Sequence, residues 1–142
     1  MINDQATPLE LANRLRPVLV KLGRELRREL RPLGVTPGQA TLLHEIRSSP
    51  GIGVRELAAR EGMSAPGLSG HVDRLEAAGH VARTRSEGDR RRVGLALTPK
   101  GERVLRSVRS RRTAWLAKRL AGLDPADLEA VDRAVEPLAR LL

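Results

Sequence analysis

The stretch Val54-Arg55-Glu56-Leu57-Ala58-Ala59-Arg60-Glu61-Gly62-Met63-Ser64-Ala65-Pro66-Gly67-Leu68-Ser69-Gly70-His71-Val72-Asp73-Arg74-Leu75-Glu76-Ala77-Ala78-Gly79 decides the fold. It reads as a short helix over Val54–Glu61 with Leu57 and Ala58 inward, a Gly-Met turn, and a second helix from Ala65 to Ala78 closed by Gly79. Ser64 is placed to cap the second helix and Pro66 sits in its first turn, where a missing N–H does no harm. Leu68, Val72 and Leu75 recur at helical spacing and predict a face packed on the short helix. Pro66, Ser69, Gly70, Asp73 and Arg74 fall roughly opposite, a face with few bulky groups.

Immediately after come His80–Arg85 and Arg92–Leu97, which read as two strands around the polar loop Ser86-Glu87-Gly88-Asp89-Arg90-Arg91. Two helices joined by a tight turn and followed by a hairpin predict a winged helix-turn-helix. Its thin helical face suits a major groove, its helix N-terminus suits a phosphate, and arginines in the hairpin loop suit a minor groove.

Working outward, the remaining helix starts carry the same cap chemistry. Thr7-Pro8-Leu9-Glu10 and Thr36-Pro37-Gly38-Gln39 are capping boxes, and Thr98-Pro99 and Asp124-Pro125 add two more caps, with Asp127 at the third position of the last. Helices are expected over about 8–30, 37–48, 99–121 and 125–141. Pro17 predicts a kink or a weak first turn in the first helix, and Pro137 predicts fraying in the last. Leu15, Leu19, Leu22, Leu26 and Leu30 stripe the first helix; Val104, Leu105, Val108, Trp115, Leu116 and Leu120 are the apolar residues of the fifth; Leu128, Val131, Val135 and Leu138 stripe the sixth. The fold class is mainly α with a small β-hairpin wing, in one domain over 1–142. The winged helix-turn-helix is expected over 36–98, with the recognition helix at 65–78 and the wing at 80–97; the helices over 8–31 and 99–142 flank it, and a dimerisation role for them is what the resemblance given below implies.

Charge agrees with this layout. The 142 residues carry a formal +9, and residues 83–112 alone hold eleven basic and three acidic groups, a net of +8. A concentrated excess is the electrostatic footprint of a polyanion partner. Three of the 26 basic residues are lysines (Lys21, Lys100 and Lys118), and the rest are arginines. There is no Cys, Phe or Tyr, and Trp115 is the only aromatic residue. A disulfide scaffold, a thiol switch and a cysteine zinc site are excluded. So are RNA-binding folds that stack bases on aromatic platforms. Neither a membrane span nor a signal-peptide core is expected, which places the chain in the cytoplasm. His44, His71 and His80 lack metal-ligand spacing, so no metal and no cofactor are expected. No catalytic set or cofactor fingerprint is visible, so an enzyme is not expected.

Met63-Ser64-Ala65-Pro66-Gly67-Leu68-Ser69 and Val72-Asp73-Arg74-Leu75-Glu76-Ala77-Ala78-Gly79 resemble the recognition helix of the MarR family of bacterial transcription regulators. Val81-Ala82-Arg83, Gly88-Asp89-Arg90-Arg91-Arg92 and Leu97-Thr98-Pro99-Lys100-Gly101 resemble its wing and the start of its fifth helix, and Leu33-Gly34-Val35-Thr36-Pro37-Gly38-Gln39 the start of its second. The resemblance implies a homodimer built from the first, fifth and sixth helices, a sequence-specific regulator of a pseudo-palindromic duplex, and most often a ligand-responsive repressor. It implies DNA contacts by Ser64, Pro66, Ser69, Gly70 and Arg74, with Arg91 entering the minor groove beside Arg90 and Asp89 orienting it. Many members carry a long polar residue where Gly70 stands, so Ser69, Arg74 and the wing carry more of the readout here. A small anionic or aromatic effector is implied near Arg16, His44, Arg47 and Trp115. The alternative from composition alone is a non-specific nucleoid or RNA-binding protein.

Overall fold

The computed structural model describes residues 5–85 and 93–142. Six helices and one hairpin follow in the expected order: α1 (Pro8–Arg28), a 3-10 turn (Arg31–Leu33), α2 (Pro37–Ser48), α3 (Val54–Arg60), α4 (Ala65–Ala77), β1 (Val81–Arg85), β2 (Val93–Leu97), α5 (Pro99–Leu120) and α6 (Pro125–Ala139). Each predicted cap is made. Thr7 and Thr36 form capping boxes with Glu10 and Gln39, and Ser64, Thr98 and Asp124 accept from the N–H three residues on.

The differences are local. The first helix ends at Arg28 rather than about Leu30, and the chain tightens into the 3-10 turn around Pro32. Pro32 has no N–H to donate to Arg28 O, so the α-helical ladder cannot continue past that point. Pro17 does not break α1, and α6 runs through Pro137. The carbonyl that loses its partner to Pro17 belongs to Asn13, an exposed residue open to water. The strands begin one residue later than expected on the β1 side, since His80 pairs its N–H with Leu75 O at the end of α4.

The core belongs to the winged unit. Leu30, Leu43, Ile46, Leu57, Leu68, Val72, Leu75 and Leu95 are fully buried around the α2–α3–α4–β2 junction. Hairpin register pairs Val81 with Leu97, Arg83 with Leu95 and Arg85 with Val93. Gly51 and Ile52 add a short third edge, with Gly51 N–H donating to Leu95 O at 2.8 Å and Leu95 N–H to Ile52 O at 2.9 Å. Of the expected apolar face of β2, Leu95 is buried and Leu97 half-buried, whereas Val93 is exposed at the strand's start. Leu105 and Val108 anchor α5 to this core, and Arg111 clasps the end of α1 by donating to Glu29 O at 2.9 Å.

α1 and α6 are built differently. Neither contains a buried residue, and neither packs closely on the winged unit. Their apolar stripes lie open: Leu11, Val18, Leu19 and Leu22 on α1, and Leu128, Val131 and Val135 on α6.

Candidate nucleic-acid interface

The helix-turn-helix angle is set by backbone geometry at Gly62 and Ser64. Gly62 turns the chain at φ 63°, a left-handed conformation glycine adopts without strain, and Met63 N–H returns to Ala58 O at 2.9 Å. Ser64 is extended, and its Oγ accepts from Gly67 N–H at 3.2 Å. Pro66 has no N–H, so Ala65 is the first-turn residue with an N–H left for a phosphate.

α4 divides its faces as the spacing predicts. Leu68, Val72 and Leu75 are buried against the core and α3. Pro66, Asp73 and Arg74 are exposed, and Ser69, Gly70 and His71 are half-buried. Five of the expected DNA-contact residues, Ser64, Pro66, Ser69, Gly70 and Arg74, therefore lie along the start and outward side of one helix. Arg74 lies 3.4 Å from His71 Nδ1 through Nη1, which steers its guanidinium along the helix. Asp89, Arg90 and Arg91 lie outside the described residues.

One residue on β1 joins this face without having been singled out among the expected contacts. Arg83 bridges two carboxylates of α4, Nη2 to Asp73 Oδ1 at 2.6 Å and Nε to Glu76 Oε2 at 3.2 Å. The signal for it was present in the sequence: acids three apart on the outward face, with a strand arginine following the turn. Behind the helix, Lys100 Nζ donates to Ala78 O at 2.7 Å and closes the C-terminus of α4, where the helix dipole favours a cation. The hairpin, α4 and the first turn of α5 are thus bound into one body.

The four expected effector residues sit on three different helices, α1, α2 and α5. Arg16 stands on α1 beside Asn13 Oδ1, at the 3.5 Å limit of a hydrogen bond; His44 is exposed on α2; Arg47 pairs with Glu102 at 3.3 Å; Trp115 stacks under the Arg119 guanidinium at 5.1 Å. Arg47 lines a small crevice with Glu102, Leu105, Arg106 and Arg109. The roomier groove, about 510 Å³, is lined by Leu33, Arg103, Arg106, Ser107, Ser110 and Arg111. No group of three or more metal-ligating side chains and no helix long and apolar enough to cross a membrane occurs among the described residues.

Comparisons with known proteins agree with this geometry. The sequence model of the MarR family matches residues 33–92, from the last residue of the 3-10 turn through β1 to the residue before β2. The chain is 29% identical over 114 residues to the HTH-type transcriptional repressor MdtR of Bacillus subtilis, which covers 80% of this chain and 74% of that one. It is 30% identical to the transcriptional regulator Tm0710 of Thermotoga maritima, with a TM-score of 0.77 and 92% of both chains covered. An S. aureus MepR variant, solved bound to an oligodeoxyribonucleotide, shares the fold at 18% identity and a TM-score of 0.75, over 97% of this chain and all of that one. MdtR and Tm0710 are named for regulation of transcription, a non-enzymatic role.

Proposed function

The chain belongs to the MarR family of DNA-binding transcription regulators, and from that premise we propose that it is a homodimeric, effector-responsive repressor acting in the cytoplasm on a pseudo-palindromic operator. The observation that carries the reading is the outward face of α4. Ser69 and Gly70 keep it shallow, Arg74 supplies a base- or phosphate-directed guanidinium, Arg83 fixes it relative to the hairpin, and Lys100 ties its C-terminus to α5. Ser64 and Pro66 meet the backbone at the helix start, and Arg91, with Arg90 and Asp89, reads the flanking minor groove.

Two copies are needed for such a reading. The open stripes of α1 and α6 supply the contact, and the paired recognition helices then sit about 34 Å apart, one turn of duplex. MdtR is a repressor by name, which favours repression here. The arginine-rich groove beside Leu33 favours an anionic effector, since its volume falls in the range of small-molecule sites. Such a ligand releases DNA only if it binds the DNA-incompetent arrangement better, a coupling of about 1–3 kcal/mol.

The test is a gel shift on the DNA upstream of the protein's own gene, at fixed salt. Binding should be about 10³-fold tighter than to a scrambled duplex of equal composition. Equal affinity for the two would replace this reading with a non-specific nucleoid or RNA-binding protein. Small aromatic carboxylates titrated into the same complex should release the DNA.

A further inference from the structure

α4 carries a charge pattern that conflicts with its setting. Asp73 and Glu76 are both solvent-accessible on its outward side, with Arg74 as the only cation on that helix. A duplex surrounds anything in its groove with phosphates, so two free carboxylates there oppose binding. Arg83 removes the conflict from outside the helix. Its Nη2 and Nε are committed to Asp73 and Glu76 at 2.6 and 3.2 Å, and its side chain is only 34% exposed. Ion pairs at such accessible positions add little to folding stability, so stability is a weak reason for the arrangement.

We propose that Arg83 is a positioning residue for DNA recognition: it neutralises Asp73 and Glu76 and holds both carboxylates toward the hairpin, leaving the rest of the α4 face to the bases. With Arg83 in place, the group Asp73, Arg74, Glu76 and Arg83 is neutral; without it the same face is net negative. Arg83 acts through the two acids and makes no phosphate contact of its own. This inference rests on α4 being the recognition helix.

The experiment uses the full chain and a duplex selected from a random pool for tightest binding to the wild type, read by fluorescence anisotropy over a salt series. Arg83→Ala should weaken binding about 10-fold, the scale of a lost charge complement. Its dependence on salt should keep the wild-type slope, because no phosphate contact is lost. Adding Asp73→Asn and Glu76→Gln to Arg83→Ala should restore affinity to within about 3-fold of wild type, since those changes remove the repulsion. Circular dichroism checks that each variant is folded.

Other outcomes overturn the proposal. A salt slope reduced by about one, without rescue, would make Arg83 a direct phosphate ligand. An unchanged slope without rescue would leave it a structural tether only, and an Arg83→Ala protein that binds like wild type would leave it no role. A shift in base preference at one position on Asp73→Asn alone would make Asp73 itself a reader of a base. Should the wild type fail to prefer its selected duplex to scrambled DNA, the recognition-helix reading falls, and this inference with it.

Discussion

Gly101 lies so close to His80 that a Cβ built on it would fall on the His80 carbonyl. That carbonyl is fixed, because it accepts from Thr98 N–H at 3.1 Å. Gly101 in turn donates to Thr98 Oγ1 at 3.0 Å as the third residue of α5. The first turn of α5 therefore rests directly on the joint between α4 and β1, backbone on backbone. Gly101→Ala must push these elements apart. It should cost about 3 kcal/mol, the upper end of what an inserted methyl costs in a tight site. Urea denaturation measures it; a loss under 0.5 kcal/mol would mean the contact relaxes freely.

Gly70 should respond in the opposite sense. A Cβ there meets no heavy atom within 4 Å, and its φ is in the ordinary helical range. Gly70→Ala should therefore stabilise the fold by about 1 kcal/mol through helix propensity alone. The same methyl projects from the outward side of α4, so operator affinity should fall by about 1 kcal/mol, the scale of one base contact. A variant that is more stable and binds as well as wild type would place Gly70 away from the DNA.

His80 links this joint to pH. Burial, and secondarily the Lys100 ammonium, push its pKa below the ordinary histidine range, and its Nδ1 is buried without a partner. The unfolded chain takes up this proton near pH 6.5, before the folded one does. The contribution to stability is complete above that pH and is lost as pH falls toward the folded value. The urea midpoint should therefore drop between pH 7.5 and pH 5.5, and His80→Leu should flatten that part of the profile. A wild-type midpoint that rises on acidification would contradict the burial of a neutral imidazole.

Much of this was legible in the sequence because its determinants are short-range. The caps at Thr7, Thr36, Ser64, Thr98 and Asp124 act within three residues, so the helix starts follow from local chemistry. The two faces of α4 follow from the helical period. Contacts across long sequence separations carry no such period. Arg83 meeting Asp73, Gly101 meeting His80, and Arg111 reaching Glu29 appear only once the chain is folded. The end of α1 was misjudged for a related reason: Leu30 continues the leucine stripe, yet it is buried in the winged core, beyond the helix. The effector set implied by the resemblance, Arg16, His44, Arg47 and Trp115, is spread over α1, α2 and α5, and no local spacing relates its members.

The open stripes of α1 and α6 lead to the last expectation. Helices in proteins draw most of their stability from tertiary packing, yet α1 and α6, 21 and 15 residues long, have no buried residue on their own chain. In the proposed dimer a second copy covers Leu19 and Leu22 on one side and Leu128, Val131 and Val135 on the other, and the order of both helices then rests on it. Val135 is 56% exposed in the single chain, so Val135→Glu leaves the winged core untouched. In the dimer the same carboxylate would be desolvated without a partner, which costs several kcal/mol. Sedimentation should show the wild type at twice the chain mass and the variant shifted to one. Operator affinity should fall about 100-fold, because one half-site no longer raises the effective concentration at the other. Far-UV circular dichroism should lose helix from α1 and α6 while the α2–α4 core keeps its amide protection. A variant that stays dimeric and binds normally would show that α6 pairs through another face.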